Sequence, residues 1–579
     1  MGTIDHPKLG KIRGTTNDDL TSFQGVPFAR IPRRFARSTL LETLPSGADF
    51  AGYDATRPGP SSIQSFDAVR NDPGEQSIPI DRISPDEGLH QSDLNCLNLN
   101  ITVPTFSLNG SVSMLPVLVF LHGGAFLVGA GDRSYYDPEN FLRQALLSDP
   151  PRPIILVTAN YRLGALGYLH STSAKDKDGQ PLIPPNNGFH DQARLFEWVK
   201  EFIKGFGGDP QNITTIGQSA GSESLGIHNL LSCYADKEQE DQPYRRSILF
   251  SGSLLCMPAM NPEEHEQNFY EKAVQLGVAV NGRTSSEIAQ DLIDNVDEDA
   301  FRELGWCGAP CLQTDMLPYP AATLDTILRV EQDKPMSGCR RWVPEQLISS
   351  AEFDGGVTYH LVKFDPTRSQ AHGRNFRTLA FRSLPSTIVN QLLELYSIGE
   401  ATDDDATLRA INQLETDLSF ILPTIFEAMA AEASKTKTYL QFWRLVNPFP
   451  GSFHSDSLEP GRYANHTYDI VALFGAFEDR LDEAQRCVVQ KWRTRIIEFI
   501  HFGGQSSSCW QEWTEEEGTA TVVDLRGTRT VAKGEYLGPK TRLGKLLKLG
   551  EQLHPVEGLD RIFSEVVRPY LLGIWVPDK

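Results

Sequence analysis

The sequence predicts an α/β fold with a mainly parallel central sheet and helices on both of its faces. Three observations predict it. From about residue 100 to 250, apolar strand candidates alternate with helical patterns, as a doubly covered parallel sheet requires. At "GQSAG" (217–221) strand-like sequence changes to helix-like sequence within a few residues. No internal repeat, heptad, low-complexity block or convincing linker interrupts the chain, so one domain over residues 1–579 is expected.

The strands are read in order as "LPVLVFL" (115–121), "PIILVTAN" (153–160), "NITTI" (212–216) and "RRSILF" (245–250). Between the second and third, "DQARLFEWVKEFIKGF" places Leu195, Phe196, Val199, Phe202 and Ile203 at helical spacing. Residues 260–345 and 365–435 read as mostly helical with loops, and the stretch 260–435 is expected to be an insertion around the sheet that shapes a pocket. "TYLQFWRLV" (438–446) returns to strand character, and "LDRIFSEVVRPYLL" (559–572) predicts a closing amphipathic helix.

Composition narrows the function classes. With 40% hydrophobic and 9% aromatic residues over 579 positions, the chain is globular rather than disordered. A formal charge of −21 argues against nucleic acid or an anionic membrane as a main partner. The opening "MGTIDHPKLGKIRGTT" has no apolar core of a signal peptide, and no run approaches the roughly 20 apolar residues of a membrane span. Cytosolic residence is the expectation. Eight cysteines are too sparse for a disulfide scaffold, and Cys307 and Cys311 lack the companions of a zinc site. Sequons occur at Asn100, Asn109, Asn212 and Asn465.

Chemistry enters at Ser219. A strand that reverses directly into a helix holds its turn residue in a sparsely populated conformation, where larger neighbours two positions away would clash. Gly217 and Gly221 answer that need. The turn lifts a serine hydroxyl clear of the sheet beside a helix N-terminus, whose free N–H groups stabilise an anion. Strand 115–121 ends in His122-Gly123-Gly124, where glycines leave backbone N–H groups unobstructed. Gly123, Gly124 and Ala220 are therefore the expected oxyanion donors for a Ser219 nucleophile.

Long stretches then carry a resemblance. "FQGVPFARIPRRF" (23–35), "LNLNITVP" (97–104), "FLHGGAFLVG" (120–129), "NYRLGALGY" (160–168), "NNGFHDQARLFEWV" (186–199) and above all "FGGDPQNITTIGQSAG" (206–221) resemble the type-B carboxylesterase/lipase family, the cholinesterase-like members of the α/β-hydrolase fold. From 260 to 435 the match is poor. The resemblance implies a triad in the order serine, acid, histidine. Among thirteen histidines, His454, His466, His501 and His554 are the serious candidates for the last place in that order. His466 is the expected base, because "HTYDIVALFG" follows the family pattern through Gly475, whereas "GSFHSDSL" around His454 imitates it only superficially.

The acid departs from the pattern. The family usually has a Glu directly before a Gly; here the stretch reads "EQLISSAEFDGGVTYHL". A register set by Leu347-Ile348 makes Asp354 the acid, whereas a register set backwards from Tyr359 leaves Gly355 there and no carboxylate. Asp354 is the expected acid, with Glu352 and Glu223 as alternatives. Cys96 matches a family cysteine whose usual partner lies upstream, but no cysteine precedes it, so it is expected to be a free thiol.

The reaction implied is ester hydrolysis through an acyl-enzyme, with no metal or organic cofactor and a small-molecule ester as partner. The alternatives are an acyltransferase, thioesterase or lactonase with the same apparatus, or a non-catalytic adhesion-type domain, though such domains characteristically lose the serine. Trp306, Trp342 and Phe353 suggest an apolar pocket, with core packing the competing and preferred reading.

Overall fold

The protein is described from a computed structural model covering residues 2–574 except 47–49, 110–112, 236, 255, 258, 305–308, 320–322, 325–340, 364, 366, 400–402, 451–462 and 505–509. Thirteen strands form one sheet among the described residues. In chain order they are β1 (Gly2–His6), β2 (Gly10–Asn17), β3 (Leu20–Pro27), β4 (Tyr53–Asp54), β5 (Asn98–Pro104), β6 (Leu115–Leu121) and β7 (Ile155–Ala159). They continue as β8 (Gly208–Gln218), β9 (Arg246–Phe250), β10 (Glu345–Ala351), β11 (Lys437–Trp443), β12 (Ala520–Asp524) and β13 (Gly527–Val531).

Across the sheet the order is β1-β2-β3-β5-β7-β6-β8-β9-β10-β11-β12-β13, with β4 beside β2. From β7 to β12 every pairing is parallel, and antiparallel strands flank that run on both sides. The register brings Gly217 opposite Leu121 and Gln218 opposite Phe250. The carboxyl ends of β6, β8 and β9 therefore meet in one place.

Two-sided burial explains the apolar strands. Along β6, Val117, Val119 and Leu121 join one core with Leu195, Phe196, Val199 and Phe202 of helix α1 (Asn187–Phe202). Leu118 and Phe120 point the other way and pack with Trp492, Ile496 and Ile500 of helix α4 (Glu483–Phe502). Alternate side chains leave a strand on opposite faces, so both registers must be apolar. A buried ion pair links two of the family-like stretches: Arg162 Nε and Nη2 each lie 2.7 Å from an oxygen of Asp191, and Ser38 Oγ donates to the same carboxylate at 2.6 Å.

The stretch 260–435 is helical on both sides of β10, which runs through it as a strand of the central sheet. Helix Pro262–Gln275 starts where its sequence dictates. Asn261 caps the Glu264 N–H, Glu264 returns the bond, and Pro262 takes the first helical position. The closing helix expected over 559–572 runs without a break from Gly558 to Leu571, with a π-helical turn at Phe563–Val567 inside it. No helix among the described residues is long and apolar enough to cross a membrane.

Candidate active site

Ser219 sits between the end of β8 and the start of helix α2 (Ala220–Asn229) with φ 56° and ψ −126°. That is the strained corner expected from the sequence. A Cβ on Gly217 would lie 2.3 Å from Gly221 O, and one on Gly221 would lie 2.2 Å from Leu121 O. Neither position has room for a side chain. The Ser219 N–H donates to Phe250 O at 2.9 Å, which ties the corner to β9. The half-buried thiol of Cys256 is a further neighbour of Ser219. Its pKa lies well above the ordinary range, through burial first and then the Glu223 and Asp354 charges, while hydrogen bonding to Ser219 works against the rise.

The glycine turn after β6 packs directly on the elbow. A Cβ on Gly123 would fall 2.9 Å from Ser219 Cβ, and Gly124 has φ +104° with Val128 O only 2.2 Å from where its Cβ would be. Among the described residues none accepts a hydrogen bond from the Gly123, Gly124 or Ala220 N–H. His122 secures the turn. Its Nδ1 lies 2.8 Å from Gly123 O, its ring stacks on Tyr161 at 4.5 Å, and the Tyr161 hydroxyl donates to His122 O at 2.8 Å. Burial pushes the His122 imidazole down to about 4, so it is neutral at ordinary pH.

Asp354 and His466 come together on the neighbouring loops. His466 Nδ1 lies 2.8 Å from Asp354 Oδ1, both side chains being buried. The backbone brings them there: the Phe353 N–H donates to Ala464 O at 3.0 Å, Phe353 bridges Asn465, and the Phe353 ring stacks on Tyr463 at 4.4 Å. The second oxygen of Asp354 accepts the Ala351 N–H at 2.6 Å. Gly355 has no room for a Cβ, which would lie 2.3 Å from Asn412 O, and its N–H donates to Thr416 Oγ1 at 2.8 Å.

The alternative acids lie elsewhere. The Glu352 side chain is 47% exposed and faces Arg444 at 3.3 Å. Glu223 is buried and accepts the Met257 N–H at 2.8 Å, and burial holds its carboxyl well above the usual range. Among the other histidines, His501 lies near the C-terminal end of α4, His554 caps the Val556 and Glu557 N–H groups, and His454 falls outside the described residues. Trp342 is core, packed against Tyr234 and Tyr244 with its Nε1 on His228 O at 2.7 Å, whereas Trp306 and Cys307 are not among the described residues.

Sequence reasoning passes over several neighbours. Gln218 Nε2 reaches His466 Nε2 at 3.1 Å. Phe420 stands edge-on to the His466 ring at 5.5 Å, projected by a π-helical turn (Thr416–Ile421) in the poorly matching region. Asp469, on helix α3 (Tyr468–Phe474), accepts Ser251 Oγ at 2.9 Å. Burial, and then the Asp354 charge, push its carboxyl up to about 7. An acidic residue three positions after the histidine was visible in sequence; nothing there marked Phe420.

A mainly parallel sheet with a serine at its central strand–helix elbow defines the α/β-hydrolase class. The chain belongs to the carboxylesterase family, whose model matches residues 3–536. It is 35% identical over 254 residues to the para-nitrobenzyl esterase of Bacillus subtilis (strain 168), a stretch of 43% of this chain and 44% of that protein. The match therefore spans under half of that relative. Lipase 3 of Yarrowia lipolytica (strain CLIB 122 / E 150) is 27% identical over 496 residues, 83% of this chain and 86% of the lipase. A solved structure of a PNB esterase superposes with a TM-score of 0.66 at 21% identity, covering 93% of this chain and 99% of that one, a likeness of fold.

Proposed function

We propose that the chain, working as one catalytic unit, hydrolyses small-molecule carboxylic esters by acyl transfer through Ser219, His466 and Asp354. The observation that carries this reading is the 2.8 Å contact of His466 Nδ1 with buried Asp354, beside a serine held at an elbow with φ 56°. The carboxylate fixes the imidazole hydrogen on Nδ1 and leaves Nε2 as a base. His466 removes the Ser219 proton, the oxygen attacks the ester carbonyl, and the Gly123, Gly124 and Ala220 N–H groups receive the oxyanion. His466 then protonates the leaving alcohol, and water releases the acyl group by the same route. An oxyanion donor is worth roughly 10²–10³ in kcat. No step needs a metal or organic cofactor.

An apolar acyl or alcohol group suits the surroundings, since the Phe420 ring packs against His466. A reducing compartment, the cytosol, fits the buried and unpaired Cys96, whose thiol burial pushes up to about 12. The test is fluorophosphonate labelling and turnover of a p-nitrophenyl ester series of increasing acyl length, with an added alcohol to reveal transfer. Ser219→Ala should lose both label and turnover while keeping the wild-type circular dichroism. Labelling at another serine with activity retained overturns the reading.

A further inference from the structure

We infer that the open cleft beside the start of α1, lined by Arg33 and Arg37, is a second binding site, which takes a small organic carboxylate and rests its apolar body on a wall of prolines. The inference does not depend on which residues carry out hydrolysis.

The cleft has a volume of about 640 Å³, enough for a small molecule, and no residue of the candidate active site lines it. Three stretches build it, around residues 33–37, 170–185 and 311–315. Asn186, just before α1, ties two of them together: its Nδ2 donates to Cys311 O and to Thr314 Oγ1, each at 2.9 Å. Pro181, Pro184, Pro185 and Pro262 line the cleft with apolar rings whose backbone is already fixed. A wall formed in advance loses little freedom when a ligand settles on it.

The two lining arginines differ from their neighbours. Arg34 pairs with Asp93 at 2.8 Å and Arg162 with Asp191 at 2.7 Å. Arg33 and Arg37 have only neutral partners among the described residues. Arg33 Nη1 donates to Arg34 O at 3.2 Å and Leu182 O at 3.3 Å, and Arg37 Nη1 donates to Asn187 Oδ1 at 3.2 Å. Each half-buried guanidinium keeps further N–H donors in the planar fork that binds a carboxylate through two parallel hydrogen bonds. Burial pushes Arg37 down to about 10, with the Asp315 charge acting against the fall, so it remains a cation that an anion would stabilise. The acids nearby are engaged. Asp315, exposed on the rim, faces His190 at 3.3 Å, and Glu266 accepts the Ser171 and Thr172 hydroxyls at 2.9 Å each without lining the cleft. Burial lowers His170, which adds no charge at neutral pH. Two arginines against one lining aspartate leave a single positive charge, which matches a carboxylate better than a phosphate dianion.

The experiment is isothermal titration calorimetry of the full chain with octanoate, with its uncharged counterpart octanol, and with inorganic phosphate. Octanoate should bind, and Arg33→Gln and Arg37→Gln should each weaken it about tenfold or more, as the loss of a charged hydrogen-bond donor does. Asp315→Asn removes the opposing charge and should tighten octanoate severalfold, a gain that damaged folding cannot imitate. Turnover of a p-nitrophenyl ester without octanoate should stay at the wild-type rate in all three variants. Octanol and phosphate should both bind more weakly than octanoate. Equal octanoate affinity in wild type and in the double variant Arg33→Gln, Arg37→Gln puts the ligand elsewhere, the active site included, and overturns the inference. No octanoate binding, or an unchanged affinity in Asp315→Asn, overturns it as well. Octanol binding as tightly as octanoate removes the role of the charge, and phosphate binding more tightly overturns the assignment to a carboxylate.

Discussion

Replacing Asp354 with Asn tests the least conventional part of the site, and the structure dictates which way the new amide must turn. One oxygen of Asp354 accepts the Ala351 N–H at 2.6 Å and the other faces His466 Nδ1 at 2.8 Å. The backbone N–H cannot be moved, because it belongs to the end of β10, so the asparagine oxygen must stay on it. The amide NH2 then faces His466 Nδ1 and makes that nitrogen the acceptor. The imidazole hydrogen moves to Nε2, where it meets the Gln218 amide and can no longer take the Ser219 proton. A wrong-tautomer substitution of this kind costs about 10⁴ in kcat, or roughly 5.5 kcal/mol of transition-state stabilisation. Folding should change little, since the Ala351 N–H keeps its partner. The assay is steady-state p-nitrophenyl ester hydrolysis with urea unfolding alongside. Glu352→Gln is the control and should stay near wild type, because its partly exposed pairing with Arg444 contributes about 0–1 kcal/mol. An Asp354→Asn enzyme within tenfold of wild type would refute the tautomer argument.

Asp191→Ala leaves the Arg162 guanidinium buried without its carboxylate, and denaturant unfolding should show a loss of about 3–5 kcal/mol; a loss under 1 kcal/mol would mean water reaches that pair. Burial pushes the Glu415 carboxyl up to about 8, so the folded chain holds that proton more tightly than the unfolded one does. Stability from it is complete below the ordinary carboxylate range and is lost as pH rises from there to about 8. Glu415→Gln should therefore gain in Tm relative to wild type between about pH 5 and pH 8.5, and a constant difference across that window would contradict the burial argument. Asn465 is buried with its Nδ2 on Gln76 O at 2.6 Å, so the sequon there should be unmodified in protein from its native host. A glycopeptide carrying Asn465 in mass spectra would show otherwise.

What could be read in the sequence follows from where its information is local. The strand at 115–121 and the helix at 187–202 announce themselves because burial on two faces, or on one helical stripe, leaves an unbroken apolar pattern. The elbow is equally legible, since close backbone approach excludes every side chain at Gly217 and Gly221. The antiparallel strands β1 and β2 escape the same reading. They alternate buried and exposed residues in sequences such as "GKIRGTTN", where threonine, arginine and glycine mask the period. Phe420 escapes for a different reason. Nothing within the helix around it tells which face will meet a histidine from a distant loop.

The acid loop shows both limits at once. Two registers were open for "EFDGG", one giving Asp354 and the other no carboxylate, and nothing inside the stretch chooses between them. Parallel pairing of Leu347 with Tyr439 and Ile348 with Leu440 sets where β10 ends, and that information lies in β11. With the end fixed, the shorter acid meets His466 because its loop is drawn inward. Phe353 is tied by its backbone to Ala464 and Asn465, and Gly355 presses its bare Cα against the helix that ends at Glu415. Any side chain at Gly355 would hold the loop away from that helix. The bare glycine beside the acid is therefore needed for Asp354 to stay within 2.8 Å of His466.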